Sequence, residues 1–215
     1  MERVQLKLAL KTKTRLTAIM PANPIRLFVG LGNPGNEYQR TRHNAGVWFV
    51  DRLLQISGGQ VKQEGKFLGQ VGKITWNGQP LQVLIPSTYM NQSGDSVLAV
   101  AQFFKLSPSE ILVAHDELDH NVGSAKLKWG GGHGGHNGLR DITNALGESE
   151  FARLRLGIGH PGNRSQVTPY VLGEPSTPER EAIDHAIELA CGVIPDLVQG
   201  QWNKAVKNLH DQLSN

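Results

Sequence analysis

Stretches that favour strand alternate with stretches that favour helix along almost the whole chain, and this alternation restricts the fold more than any other feature. Residues 25–31 form a compact β-rich run, and residues 44–56 carry Val47, Phe49, Val50, Leu53 and Leu54 at helical spacing. Residues 67–76 and 81–85 are β-rich and flank Asn77-Gly78, the dipeptide of a tight type I′ hairpin. A second helical stretch follows at 93–104, then a buried-type strand at 110–114 that runs into His115-Asp116. A short strand at 126–129, a helix at 137–146 and a strand at 151–159 continue the pattern. Thr177-Pro178-Glu179 supplies an N-cap, a first-turn proline and a first-turn acid, so residues 178–213 are expected to be mostly helical. The fold class predicted is α/β: a single-domain sandwich on a mixed, mostly parallel twisted sheet with helices on both faces.

The 215-residue length fits this plan, and 39% hydrophobic against 19% charged residues excludes a disordered chain. No apolar run is long enough to span a bilayer. The single cysteine, Cys191, permits neither an internal disulfide nor a Cys-rich zinc site, and is expected to be a buried, inert thiol in a reducing, cytoplasmic setting. Only 6% of residues are aromatic, too few for a protein that stacks base after base of a single strand.

The net charge of +3 resembles a nucleic-acid signature but is misleading. Arg3, Lys7, Lys11, Lys13 and Arg15 face only Glu2 within residues 1–19, and the remaining residues carry 17 basic and 18 acidic groups. Any nucleic-acid site on the body must therefore be a local patch. Residues 1–24 are expected to be an extension, disordered or non-native, with Met20 the more natural first residue; a basic, acid-poor transit segment would have similar composition. Residues 25–215 form the domain.

Three motifs suggest chemistry that their context does not support. Gly30-Leu-Gly-Asn-Pro-Gly35 follows a strand as a dinucleotide fingerprint would, but the helix opens only near Asn44 and Asp51 falls inside it. A tight glycine turn is the better reading, which removes a nicotinamide-dependent oxidoreductase. His133 and His136, with His115 and His120 nearby, lie in glycine-rich sequence rather than at helical ligand spacing, so no metal is expected. No serine stands in a G-x-S-x-G elbow. A hydrolase built on this chain would use activated water.

What remains is a set of polar groups at the ends of apolar runs: Asn33, the segment from Tyr38 to Asn44, Tyr89-Met90-Asn91, His115-Asp116 and residues 130–137. A neutral histidine as base, an aspartate fixing its tautomer and amides as neutral donors suffice for attack of water on an activated carbonyl. Residues 123–138 hold seven glycines, which let backbone approach a ligand closely. Lys126, Lys128, Arg140, Arg153 and Arg155 beside them are the densest basic cluster of the body, read equally well as a phosphate contact or a solvated strand face.

Six segments in order resemble the bacterial-type peptidyl-tRNA hydrolases: Val29-Gly-Leu-Gly-Asn-Pro-Gly35, Thr41-Arg-His-Asn-Ala-Gly46, Thr88-Tyr-Met-Asn-Gln-Ser-Gly94, His115-Asp-Glu-Leu-Asp119, Gly130-Gly-Gly-His-Gly-Gly-His-Asn-Gly-Leu139 and Arg153-Leu-Arg-Leu-Gly-Ile-Gly-His-Pro-Gly162. The resemblance spans roughly residues 25–210. It implies hydrolysis of the ester joining a peptide, or an N-blocked amino acid, to the 3′ end of tRNA, recycling tRNA from aborted translation. It implies His43 as the base, Asp116 as its partner and Asn33 as the group that separates blocked from free amines. Asn91 and Asn137 would position peptide, 3′ end and water, with Tyr38, Tyr89 and Met90 lining the cleft and His136 among the substrate-facing residues. Lys128 and Arg155 would hold acceptor-stem phosphate. The implied enzyme is a cytoplasmic monomer with no cofactor, no metal, no membrane contact and no obligate protein partner. Some relatives use this fold for RNA binding in organelle intron splicing, an alternative that the intact set of His43, Asp116, Asn33, Asn91 and Asn137 disfavours.

Overall fold

The computed structural model describes residues 23–213. The predicted extension therefore lies outside the described residues, apart from its last two positions. Seven strands form one sheet: β1 (Leu27–Gly30), β2 (Lys62–Glu64), β3 (Gly69–Trp76), β4 (Gln79–Pro86), β5 (Ile111–Glu117), β6 (Ala125–Trp129) and β7 (Ala152–Gly157). Their spatial order is β2-β3-β4-β1-β5-β7-β6. The central β4, β1, β5 and β7 run parallel, whereas β3 and β6 run against them and β2 returns to the common direction. The sheet is mixed, as the alternation predicts, with a parallel centre and antiparallel pairings towards both edges.

The helices are α1 (Ala45–Ser57), α2 (Ser93–Phe104), α3 (Asn137–Leu146), α4 (Val167–Val171), α5 (Thr177–Gly192), α6 (Ile194–Leu197) and α7 (Trp202–Leu213). Alternate side chains of the central strands feed two cores. Phe28, Leu112 and Ala114 pack with Phe49, Leu53, Ile187 and Trp202 on the α1, α5 and α7 face. Leu27, Val29, Ile111 and Val113 pack with Val97, Val100, Leu139 and Ile142 on the α2 and α3 face. A strand buried on both sides must be apolar throughout, which is why β1 and β5 read as unbroken runs.

Two local devices place the chain for function. Asn77 (φ 47°) and Gly78 (φ 79°) close the β3–β4 hairpin, both in the left-handed region that a type I′ turn requires. A Cβ at Gly46 would collide with the Ala114 carbonyl oxygen and the Leu31 backbone. The first turn of α1 thus rests directly on the β1 and β5 backbones with no side chain between them. The α5 cap differs from the expected one by one residue. Ser176, not Thr177, is the N-cap, in a reciprocal capping box with Glu179.

β1 lies between β4 and β5, so the chain leaves it towards opposite sides of the sheet. The segments after β1, β4, β5 and β7 all emerge at the carboxyl edge of these parallel strands, around that reversal. This is where open α/β sheets form a crevice.

Candidate active site

The crevice is a cleft of about 810 Å³ lined by Asn33, His43, Tyr89, Met90, Asn91, Asp116, His136 and Asn137, among others. Four separate segments bring these residues together, as their positions at element ends suggest. Tyr38 and the basic pair Lys128 and Arg155 are not among the lining residues.

His43 sits in the single 3₁₀ turn Arg42–Asn44, immediately before α1. Its Nδ1 lies 2.8 Å from Asp116 Oδ1, at the end of β5. A carboxylate oxygen only accepts, so Nδ1 carries the proton and the Nε2 lone pair is left for the cleft. Burial pushes the imidazole pKa down, but the charge and hydrogen bond of Asp116 outweigh it and leave it above 6.5. Burial likewise pushes the Asp116 carboxyl up, yet the His43 and His136 imidazoles hold it well below the usual range. Asp116 is therefore ionised throughout the neutral range.

Asn33 is held at both ends. Its backbone N–H donates to Asn44 Oδ1 at 2.9 Å, and Asn44 Nδ2 donates back to its carbonyl at 3.0 Å. Its side-chain oxygen accepts from the Met90 N–H at 2.9 Å, which leaves the Nδ2 group as the remaining donor. Met90 is buried, whereas Tyr89 is 58% exposed and stands at the rim. Asn91 lies in the 3₁₀ turn before α2, and Asn137 is the first residue of α3.

The glycine-rich loop is fixed from below. Arg153, from β7, is buried and donates through Nη1 to the Gly132 carbonyl and through Nη2 to the Gly131 carbonyl, each at 2.5 Å. Gly130, Gly131, Gly134 and Gly135 all have positive φ. At the loop's end His136 is the N-cap of α3, its Nδ1 accepting from the Leu139 N–H. Its Nε2 lies 3.0 Å from Asp116 Oδ1, the same oxygen that receives His43. Glycine-rich sequence concealed this order. His43, Asp116 and His136 place one potential metal-ligand atom each within 4.8 Å of one another, but here both ring nitrogens are turned onto the shared carboxylate oxygen.

Tyr38 lies in the turn that follows Gly35, where its carbonyl accepts from the Thr41 hydroxyl and N–H. It is not among the residues that line the cleft, where it was expected. Arg153 is likewise no phosphate contact, since its guanidinium is turned inward. Lys126 and Lys128 pair across the ladder with Arg155 and Arg153, which puts all four on one face of the sheet edge. Lys126 and Lys128 are exposed there. Arg155 donates through Nε to Glu117 at 2.8 Å. Burial first, then the cations of Arg155 and Lys126, push the nearby His120 pKa down, a sign that this edge is locally positive. Glu117 itself lines the cleft.

The opposite wall includes His160, Arg164, Val167, Thr168, Val171 and Leu172, none of them foreseen from the sequence. It is anchored by buried Arg42, which donates to the Tyr170 and Gly173 carbonyls at 3.3 Å and to Glu179 at 2.9 Å. Pro169 inside α4 hid this helix from a reading by periodicity.

Known proteins resemble this chain in both sequence and fold. The family model for peptidyl-tRNA hydrolase matches residues 27–215. Peptidyl-tRNA hydrolases of Pseudomonas fluorescens and Pseudomonas aeruginosa are 56% and 54% identical over 189 residues, covering 87% of this chain and 97% of each relative. The crystal structure of peptidyl-tRNA hydrolase from Acinetobacter baumannii superposes with a TM-score of 0.85 at 48% identity, covering 88% of this chain and 95% of that one. With a matching sequence along nearly its full described length and a matching fold, the chain belongs to the peptidyl-tRNA hydrolase family.

Proposed function

We propose that this peptidyl-tRNA hydrolase cleaves the ester between the peptide and the tRNA 3′ end by water that His43 activates. The observation that carries this reading is the 2.8 Å bond from His43 Nδ1 to ionised Asp116, which fixes the tautomer with Nε2 as the base. Nε2 takes a proton from water as its oxygen attacks the ester carbonyl carbon. The imidazolium that forms faces the Asp116 carboxylate, and it returns the proton to the departing ribose oxygen when the tetrahedral intermediate collapses. The products are a peptide carboxylic acid and a free 3′-hydroxyl.

Amides near the base suit the rest of the task. The remaining Asn33 donor, with Asn91 and Asn137, would hold the peptide main chain and the attacking water, with Tyr89 and Met90 beside them. A free ammonium placed among such donors would have no acceptor, so unblocked aminoacyl-tRNA would be spared. Lys128 and Arg155 would bind acceptor-stem phosphate, which supplies affinity without reading bases. An ester activated in this way requires no cofactor in the scheme. Among the described residues no helix is long and apolar enough to cross a membrane; a monomer acting in the cytoplasm is the working form we infer.

The deciding experiment compares N-acetyl-aminoacyl-tRNA with the same tRNA bearing a free amine, for wild type and His43→Ala. The expected result is cleavage of the blocked substrate only, reduced by about 10²- to 10⁴-fold in the variant while tRNA affinity is kept. Equal turnover by His43→Ala would remove the base from the scheme.

A further inference from the structure

His136 was expected to face substrate, yet its ring is committed at both nitrogens to the protein. Nδ1 accepts from the Leu139 N–H at 3.4 Å as the α3 N-cap, so the proton resides on Nε2, which lies 3.0 Å from Asp116 Oδ1. His43 reaches that same oxygen from the other side, and the two rings are 5.0 Å apart at their centroids. Behind His136 stands His115, edge-on with ring centroids 5.0 Å apart. His115 Nδ1 donates to the Asp116 carbonyl at 2.7 Å, and burial holds its pKa down at about 3, so it is a neutral wall.

We propose that His136 is a positioning residue which, by donating to the Asp116 oxygen that also receives His43, divides the carboxylate's charge between two rings and keeps the base weaker than a simple His–Asp pair would make it. A second donor stabilises the anion and reduces its pull on the His43 proton. The benefit is catalytic: a buried imidazole paired with an unshared carboxylate would stay protonated further into the neutral range and be unavailable as a base.

Other groups reach the cleft but not this oxygen. β5 contributes Glu117, with Asp119 beyond it, and the glycine loop contributes His133. Arg140, His160 and Arg164 also line the cleft, with no hydrogen bond to Asp116. Arg155 engages Glu117 rather than Asp116. Only His43 and His136 donate to the Asp116 side chain among the described residues.

The inference rests on His43 being the base, and the test separates the two. The pH dependence of kcat/KM and the NMR titration of the His43 ring are measured for wild type, His136→Leu and His136→Gln. Leucine removes the donor, and glutamine places an N–H near the lost Nε2. In His136→Leu the acid limb and the His43 titration should both move up by about one pH unit, with KM little changed. At a pH below both midpoints this is roughly a tenfold loss of rate. His136→Gln should return both towards wild type. An unmoved limb and titration in His136→Leu, with KM raised instead, would overturn the proposal and restore His136 as a substrate contact. A wild-type acid limb that fails to follow the His43 titration would defeat the base assignment itself. Ring ¹⁵N shifts of wild type give an independent reading that needs no variant. His136 protonated at Nε2 alone supports the proposal, and protonation at Nδ1 overturns it.

Discussion

At the scale of single residues, the site consists of groups whose hydrogen bonds within the protein determine what they can offer a substrate. Asn33 accepts at its oxygen from the Met90 N–H and keeps a donor; His43 donates its Nδ1–H to Asp116 and keeps a lone pair. The electrostatics then set the pH range. Because the His43 pKa is raised above 6.5 and the base must be neutral, kcat/KM should climb through a midpoint above pH 6.5 and level off beyond it. A midpoint well below 6.5 would show that another group is being titrated. The same pair contributes to stability in the opposite sense: His43 protonated against Asp116 stabilises the fold below pH 6.5, and that contribution is lost as pH rises through the raised pKa. Asp116→Asn keeps the shape and removes the charge. Burial then acts on His43 unopposed, so the midpoint should fall below that of wild type while maximal rate drops on the order of 10²-fold or more. A pH profile identical to wild type would exclude Asp116 as the source of the shift.

Among the elements, turns and caps carry the site more than the regular structure does. Arg153 illustrates this, since it holds the Gly131 and Gly132 carbonyls and with them the loop that delivers His136 to α3. In Arg153→Met those carbonyls lose their charged donor. Backbone amides across 130–136 should exchange faster with solvent, and stability should fall by about 1–3 kcal/mol, measurable by denaturant titration. Unchanged exchange in that loop would show that the pin is dispensable. The sequence identified the strands and long helices because burial on both faces of β1 and β5, and one-sided burial of α1 and α2, leave periodic apolar signatures. It could not show β2, where Lys62, Gln63 and Glu64 form a polar edge strand without alternation. Nor could it separate Arg153 from Arg155, two residues apart on one face of β7: one serves buried carbonyls and the other a cleft carboxylate. Asn33, His43, Asn91, Asp116, His136 and Asn137 were legible as polar groups at element ends, whereas the wall from His160 to Leu172 was not. Their division of labour was not, because the sharing of Asp116 between His43 and His136 depends on where two loops meet.

For the whole molecule, the two cores, one on each face of the sheet, leave its carboxyl edge free for the cleft and a basic face on β6 and β7. Because the body has nearly balanced charge, the proposed phosphate contact falls to that local face. Lys128→Ala and Arg155→Ala should each lower the salt dependence of tRNA binding by about one unit of log–log slope, measured across a salt series. Slopes equal to wild type would place the tRNA elsewhere. The direct seating of Gly46 on the β1 and β5 backbones has a mechanical consequence. The wall that carries His43 is seated on the central strand backbones, whereas the facing wall is held by side chains: Arg42 on the Tyr170 and Gly173 carbonyls and Glu179, the Tyr170 hydroxyl on the Ile158 carbonyl, and Val171 in the core. The cleft thus resembles a vice with one welded jaw and one bolted jaw. Gentle warming should first slacken the grip on substrate, seen as a rising KM, while the chemistry at the welded jaw keeps its pace.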